Sequence, residues 1–250
     1  MQLDLTSLTT FEWIWVLLCG LMIGMSKSGV NGLGTLVVPV FAVIFGARPS
    51  TGLLLPMLCM ADIMAVAYYR RSARWKHIWR LLPWAVAGFG AALLVDHLVP
   101  SRYFRILIAI SILIGLPLMI WKEKKGAEVD ASAHPWMAPL FGLLGGMATM
   151  IGNAAGPIMS VYLLFMRLPK QNFVGTAAWF FLIVNLLKLP LQWLVWDNIT
   201  METLRFNFML FPAIVLGILA GIWLVRYVSE RNYRNLVLLL TLISTLMLFF

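Results

Sequence analysis

Hydrophobic residues run along this chain in long blocks, and the polar interruptions fall at corresponding places in its two halves. Two blocks, residues 13–45 and 136–166, are too long for one membrane crossing, and each is broken in the middle. The breaks read GMSKSGVNGLGTLVVP (24–39) and GGMATMIGNAAGPIMS (145–160). The pieces beside each break are roughly 12–15 residues, short of the ~20 that a hydrocarbon core requires. The other blocks, near 50–69, 79–98, 103–121, 171–195, 204–226 and 233–250, are long enough to cross. All predict helices, because they lack a barrel strand's alternation and open strands cannot sit in lipid.

The two halves align. At an offset of 121, Trp15 meets Trp136, Gly24 meets Gly145 and Val40 meets Val161. At 129 the later parts agree: Pro83 with Pro212, Gly88 with Gly217, Arg102 with Arg231 and Arg105 with Arg234. The expected organisation is one integral membrane domain. It comprises a first repeat with its N-terminal tail (1–121), a polar linker (122–135) and a second repeat (136–250).

Charge chooses between two topologies. If all eight blocks span, Lys and Arg divide 9 to 8 between the two sides, which is no bias. If each broken block dips in and returns to its own side, the division becomes 13 to 4. Arg167, Lys170, Arg226, Arg231 and Arg234 then join the basic loop 70–80. The positive-inside rule favours this second arrangement and makes loops 70–80 and 122–134 cytoplasmic. Three spans and one re-entrant hairpin per repeat is an odd count, so the repeats are expected to be inverted. A binding site then belongs at their interface, near the midplane, where broken helices meet.

Composition agrees. Of 250 residues, 62% are hydrophobic and 12% charged, against nearer half and a quarter for a soluble domain. The net charge of +9 lies in short loops, without the aromatic interleaving of a nucleic-acid surface. No basic n-region precedes the first block, so no cleavable signal peptide is expected. Cys19 and Cys59 lie inside apolar blocks, and His77, His97 and His134 lie in or beside loops. None has metal spacing, so no metal or cofactor is expected. No nucleotide-binding or hydrolase motif is present, so the chain is expected neither to be an enzyme nor to drive its own transport with ATP.

The candidate chemistry sits in the breaks. Lys27 lies in the first, at a depth where a charge costs at least ~2.5–3.5 kcal/mol unless it meets water, an anion or a carboxylate. Snorkelling to the surface is its bland alternative. Ser26 and Ser28 flank it with hydroxyls. Asn31, Gly32 and Gly34 follow, and with Gly29 these glycines let backbone N–H groups approach a ligand. A half-helix starting beyond Gly34 would aim its positive end at an anion. In the second break Gly152, Asn153 and Gly156 are the candidates, and Pro157 suits a helix start. The Gly142/Gly146 pair could equally serve helix packing. Asp62 is a carboxylate inside an apolar block, either a coupling site or half of a structural ion pair. Asn185 and Lys188 share a helix face, with snorkelling the alternative for Lys188. Trp179, Phe180 and Phe181 could line a site, although core or lipid contact is commoner for such aromatics. Trp75, Trp79, Trp193 and Trp196 read as interfacial anchors. Gly217 and Gly221 offer close helix packing within the fold or in a homodimer.

Residues 26–58 (SKSGVNGLGTLVVPVFAVIFGARPSTGLLLPML), 61–71 (ADIMAVAYYRR), 152–164 (GNAAGPIMSVYLL) and 168–188 (LPKQNFVGTAAWFFLIVNLLK) carry a family likeness. The chain resembles the TauE/SafE family of sulfite-exporter-like membrane proteins. Its first glycine motif differs from the family's commoner GxGGG form. The resemblance implies movement of a small anion, often a sulfur oxyanion or organosulfonate, coupled to an ion such as a proton or sodium. The expected function is a secondary transporter in the plasma membrane. The rivals are an anion channel of the same fold and a membrane scaffold without transport.

Overall fold

The computed structural model describes residues 8–30, 32–95 and 136–246. The described residues form helices joined by short turns: α1 (Thr10–Lys27), α2 (Leu33–Phe45), α3 (Ala47–Tyr69), α4 (Trp75–Val95), α5 (Met137–Gly152), α6 (Gly156–Phe165), α7 (Lys170–Leu194), α8 (Met201–Tyr227) and α9 (Glu230–Leu246). The chain is therefore an all-α polytopic membrane protein, with α1, α3, α4, α7 and α8 long and apolar enough to span. The block 103–121 and the linker 122–134 lie outside the described residues.

Local chemistry explains the starts and stops. Thr9 and Glu12 form a capping box, with the Thr9 backbone N–H donating to Glu12 Oε2 at 2.8 Å. That box starts α1 at Thr10, so α1 has 18 residues and exceeds the length expected for the piece before the break. The other three pieces, of 13, 16 and 10 residues, remain short of a crossing. Asn153 ends α5 in the left-handed conformation (φ 53°), and Pro157 occupies the first turn of α6.

Each broken pair folds back on itself. Trp13, at the start of α1, and Phe45, at the end of α2, both pack on Phe206, with ring centroids 5.7 and 5.6 Å away. Phe141, early in α5, likewise packs on Phe165, the last residue of α6, at 6.3 Å. The two hairpins open toward opposite ends of the bundle. The first opens at the start of α8, near the α7–α8 turn. The second opens at the start of α4, where Tyr162 Oη meets the His77 ring nitrogen at 3.1 Å. His77 is thus half-buried in the first turn of α4, with a hydrogen-bond partner in the second hairpin.

The packing is reciprocal between halves. α1 runs alongside α8, and α5 alongside α4, each hairpin's first arm lying against a helix of the other half. α3 and α7 cross the middle antiparallel. A Cβ on Gly24 or Gly217 would strike the backbone of the facing helix, and the same holds for Gly88 and Gly146. Gly217 and Gly221 are therefore used within the fold, against α1. These matched contacts pair Gly24 with Gly146, an offset of 122 where residue matching alone suggested 121. At 122 Gly20 also meets Gly142, and Gly34 meets Gly156.

One end of the bundle collects the basic turns. Asn172 Nδ2 donates to Ser72 O at 2.7 Å, tying the start of α7 to the α3–α4 loop. Lys170 Nζ donates to Val228 O, tying the same point to the α8–α9 turn. Arg70, Arg71, Arg74, Arg167, Lys170, Arg226 and Arg231 thus share one end, as the re-entrant arrangement requires. Trp75, Trp79 and Trp193 are exposed, in keeping with interfacial anchoring.

Candidate functional site

The two breaks meet over a cavity between the middles of α3 and α7. It holds about 40 Å³, room for roughly three waters. Its polar wall comes from Ser26, Lys27, Gly32, Gly34, Thr35, Thr149, Asn153, Gly156 and Asn185. Its apolar wall includes Leu54, Leu58 and Phe181. The first turns of α2 and α6 both border it. A helix start carries unpaired N–H groups and about half a positive charge, so two such starts favour a negative ligand.

Lys27 ends α1 beside this cavity. Its Nζ lies 3.0 Å from Asp62 Oδ1 and donates to Oδ2 at 3.2 Å. It also sits 4.2 Å from the centroid of the Phe181 ring, a cation–π distance. Asn185 Nδ2 donates to the same Asp62 Oδ2 at 2.7 Å. Asp62 is fully buried, while the Lys27 side chain keeps 9% exposure toward the cavity. Lys27 therefore points into the bundle and does not snorkel.

Lys188 is fully buried, which overturns its snorkelling alternative. Its Nζ donates to Asn153 Oδ1 at 2.6 Å, to Thr149 O at 2.8 Å and to Thr149 Oγ1 at 3.0 Å. A cation on the last carbonyls of α5 complements the negative end of that helix. Asn153 Nδ2 then donates to Thr51 O at 3.1 Å, bracing the second break against α3. The network holds two lysines and one carboxylate, which pairs with Lys27 alone, so its formal charge is +1.

Not every candidate reaches the cavity. Ser28 is fully buried and spends its hydroxyl on Gly24 O (2.9 Å), packed against Gly221. Gly29, at φ 132°, turns the chain against Val174 and Val225. Its carbonyl accepts from Tyr233 Oη at 2.8 Å, and Ser28 O accepts from Tyr69 Oη at 3.2 Å. Backbone freed from a helix inside a membrane needs such partners. Ser28 and Gly29 therefore build the bend, and Gly152 also lies off the cavity wall. Asp62 and Lys188 stand one layer behind it. Asn31 lies outside the described residues.

Thr35 and Thr149 are cavity residues that sequence reasoning passed over. Thr35 Oγ1 is buried at the start of α2 with no hydrogen-bond partner, facing Gly156 at the start of α6. Its position directly after NGLG was the available signal. Asn185 Oδ1 is likewise buried and unpartnered. Cys19 and Cys59 are buried free thiols, and no cluster of metal-ligating side chains occurs among the described residues.

Broken helices around a polar cavity in an apolar bundle define a polytopic membrane protein with a polar centre inside its helices. A family model described as sulfite exporter TauE/SafE matches residues 16–248, nearly the whole chain. The chain belongs to the TauE/SafE family, a family of membrane transporters. Comparisons with curated proteins and with solved structures returned no match.

Proposed function

We propose that this protein is a secondary transporter that moves a small oxyanion, of the sulfite or organosulfonate kind, through the cavity between its two breaks. The observation that carries the reading is the meeting of two helix starts, an accessible ammonium group and an unpartnered hydroxyl on one cavity. An oxyanion offers acceptors to each of those donors, and a monoanion would neutralise the network's formal charge. Lys27, Ser26, Thr35, Asn185 and the N–H groups around Gly34 and Gly156 are the ligand residues. Asn153 orients the second break under the control of Lys188. Asp62 balances Lys27 and is the group placed to couple anion movement to a proton or sodium ion.

The opposite openings of the hairpins support an inverted-repeat reading. Rocking of one half against the other would then expose the cavity to each side in turn. The shared end of the basic turns is cytoplasmic on this reading, in a plasma membrane.

The test is anion flux into proteoliposomes, run beside anion-dependent thermal stabilisation of the purified protein. Sulfite, sulfate, thiosulfate, sulfonates and carboxylates serve as probes. A bound anion stabilises the fold by mass action. Saturable flux of one anion class, lost in Lys27→Met, is the expected result. Non-saturating flux would point to a channel. Binding or flux that survives Lys27→Met with Thr35→Val would remove the anion from this cavity.

A further inference from the structure

A second, larger cavity lies at the basic end of the bundle, away from the breaks. It holds about 500 Å³ between the α6–α7 turn and the start of α9. Arg167, Arg231 and Arg234 stand around it, Arg234 also donating to Leu164 O at 3.5 Å, and Glu230 is the one carboxylate among the described lining residues. That carboxylate is engaged: Glu230 Oε2 accepts from the Lys170 backbone N–H, at the start of α7, at 2.9 Å. The formal balance of the described lining residues is +2. Beside the arginines the walls are apolar, formed by Leu164, Leu168 and Phe173.

The depth of this cavity is that of a membrane surface. It sits where α6 and α8 end and α7 and α9 begin. Trp223 and Tyr227, both more than 60% exposed, lie on the last turns of α8 with ring centroids 5.3 Å apart, and exposed Trp and Tyr at helix ends mark the interface. A cavity that joins arginines to apolar walls at that level matches a lipid, whose phosphate adjoins glycerol and acyl carbons. Basic pockets between spanning helices are suited to anionic headgroups.

We propose that this cavity binds the headgroup of an anionic phospholipid, its phosphate held by Arg167, Arg231 and Arg234. The site also touches the transport machinery. Tyr233 forms part of its wall and donates its hydroxyl to Gly29 O in the bend of the first hairpin. Phe173 packs edge-on against the same ring at 5.8 Å. A lipid seated here would brace Tyr233 and, through it, the bend that carries Lys27.

The experiment compares thermal stability and lipid retention of the full chain with phosphatidylglycerol, phosphatidylcholine or inorganic phosphate added in detergent. Phosphatidylglycerol is expected to raise the melting temperature and stay bound in native mass spectrometry, with phosphatidylcholine doing neither. Arg231→Gln should weaken that binding about fivefold, and Arg167→Gln with Arg231→Gln by more than tenfold, at roughly a factor of five per basic residue near an anionic surface. Arg231→Lys, which keeps the charge, should retain most of it and controls for folding. Equal stabilisation by both lipids would overturn the proposal, as would phosphatidylglycerol binding unchanged in the double variant. Stabilisation by inorganic phosphate matching that of phosphatidylglycerol would assign the cavity to a soluble oxyanion instead.

Discussion

Lys27 and Lys188 lie within one polar network and are held in opposite ways. Lys27 pairs with a carboxylate, rests on an aromatic face and keeps an edge open to the cavity. Lys188 has no exposure and gives its protons to neutral oxygens of the second break. The first charge is cancelled but reachable; the second has no carboxylate against it but is walled off. A ligand can touch Lys27 directly. It can feel Lys188 only as a field and through Asn153, whose position Lys188 sets. The comparison separates contact from positioning, since a walled-off side chain acts on a ligand through the residues its hydrogen bonds hold in place.

The strongest way to break this comparison is to remove the carboxylate. Asp62→Ala leaves Lys27 without its counter-charge, and the loss should be about 3–5 kcal/mol of stability. Denaturation in detergent measures it. Pairing Asp62→Leu with Lys27→Met should restore most of that stability while leaving anion binding absent. A single variant as stable as wild type would show that the pair is not energetically coupled.

Lys188→Met comes next. It strands Thr149 Oγ1 and Asn153 Oδ1, at about 1–3 kcal/mol, and should lower anion affinity without abolishing it. An effect on affinity larger than that of Lys27→Met would reverse the two roles. Thr35→Val removes a hydroxyl that has no protein partner, so melting temperature in the absence of anion should stay near wild type. Anion affinity should fall about tenfold, the worth of one hydrogen bond to a charged group. The smallest effect is expected from Ser28→Ala, about 1 kcal/mol of stability with anion affinity unchanged, because that hydroxyl serves the end of α1. A loss of affinity there would return Ser28 to the ligand set.

Much of the architecture was legible because lipid imposes severe rules on sequence. Long apolar blocks must be helices, and basic residues must stay with the turns. The gathering of Arg167, Lys170, Arg226 and Arg231 at the end that holds Arg70 and Arg71 followed from counting charges alone. The breaks were visible because glycine, asparagine and lysine are costly in a membrane without a reason. The length of α1 was misjudged because its start depends on the Thr9–Glu12 capping box, a local signal outside the apolar run. The one-residue error in matching the hairpins arose because Gly145 and Gly146 are adjacent, and only helix contact tells which of them faces Ala85.

The site divides along the same line. Sequence alone placed Lys27, Asp62, Asn153, Asn185 and Lys188 within apolar blocks or their breaks, with snorkelling left open for the two lysines, since the hydrophobic context of each is local and one-dimensional. Which of them touch could not be read, because the contacts join residues 35 to 123 positions apart. Tertiary structure decided that Lys27 takes Asp62, that Lys188 takes the end of α5, and that Thr35 faces Gly156. It also separated Ser26 from Ser28, neighbours by spacing, because two positions rotate about 200° around a helix and send the first to the cavity and the second against α8.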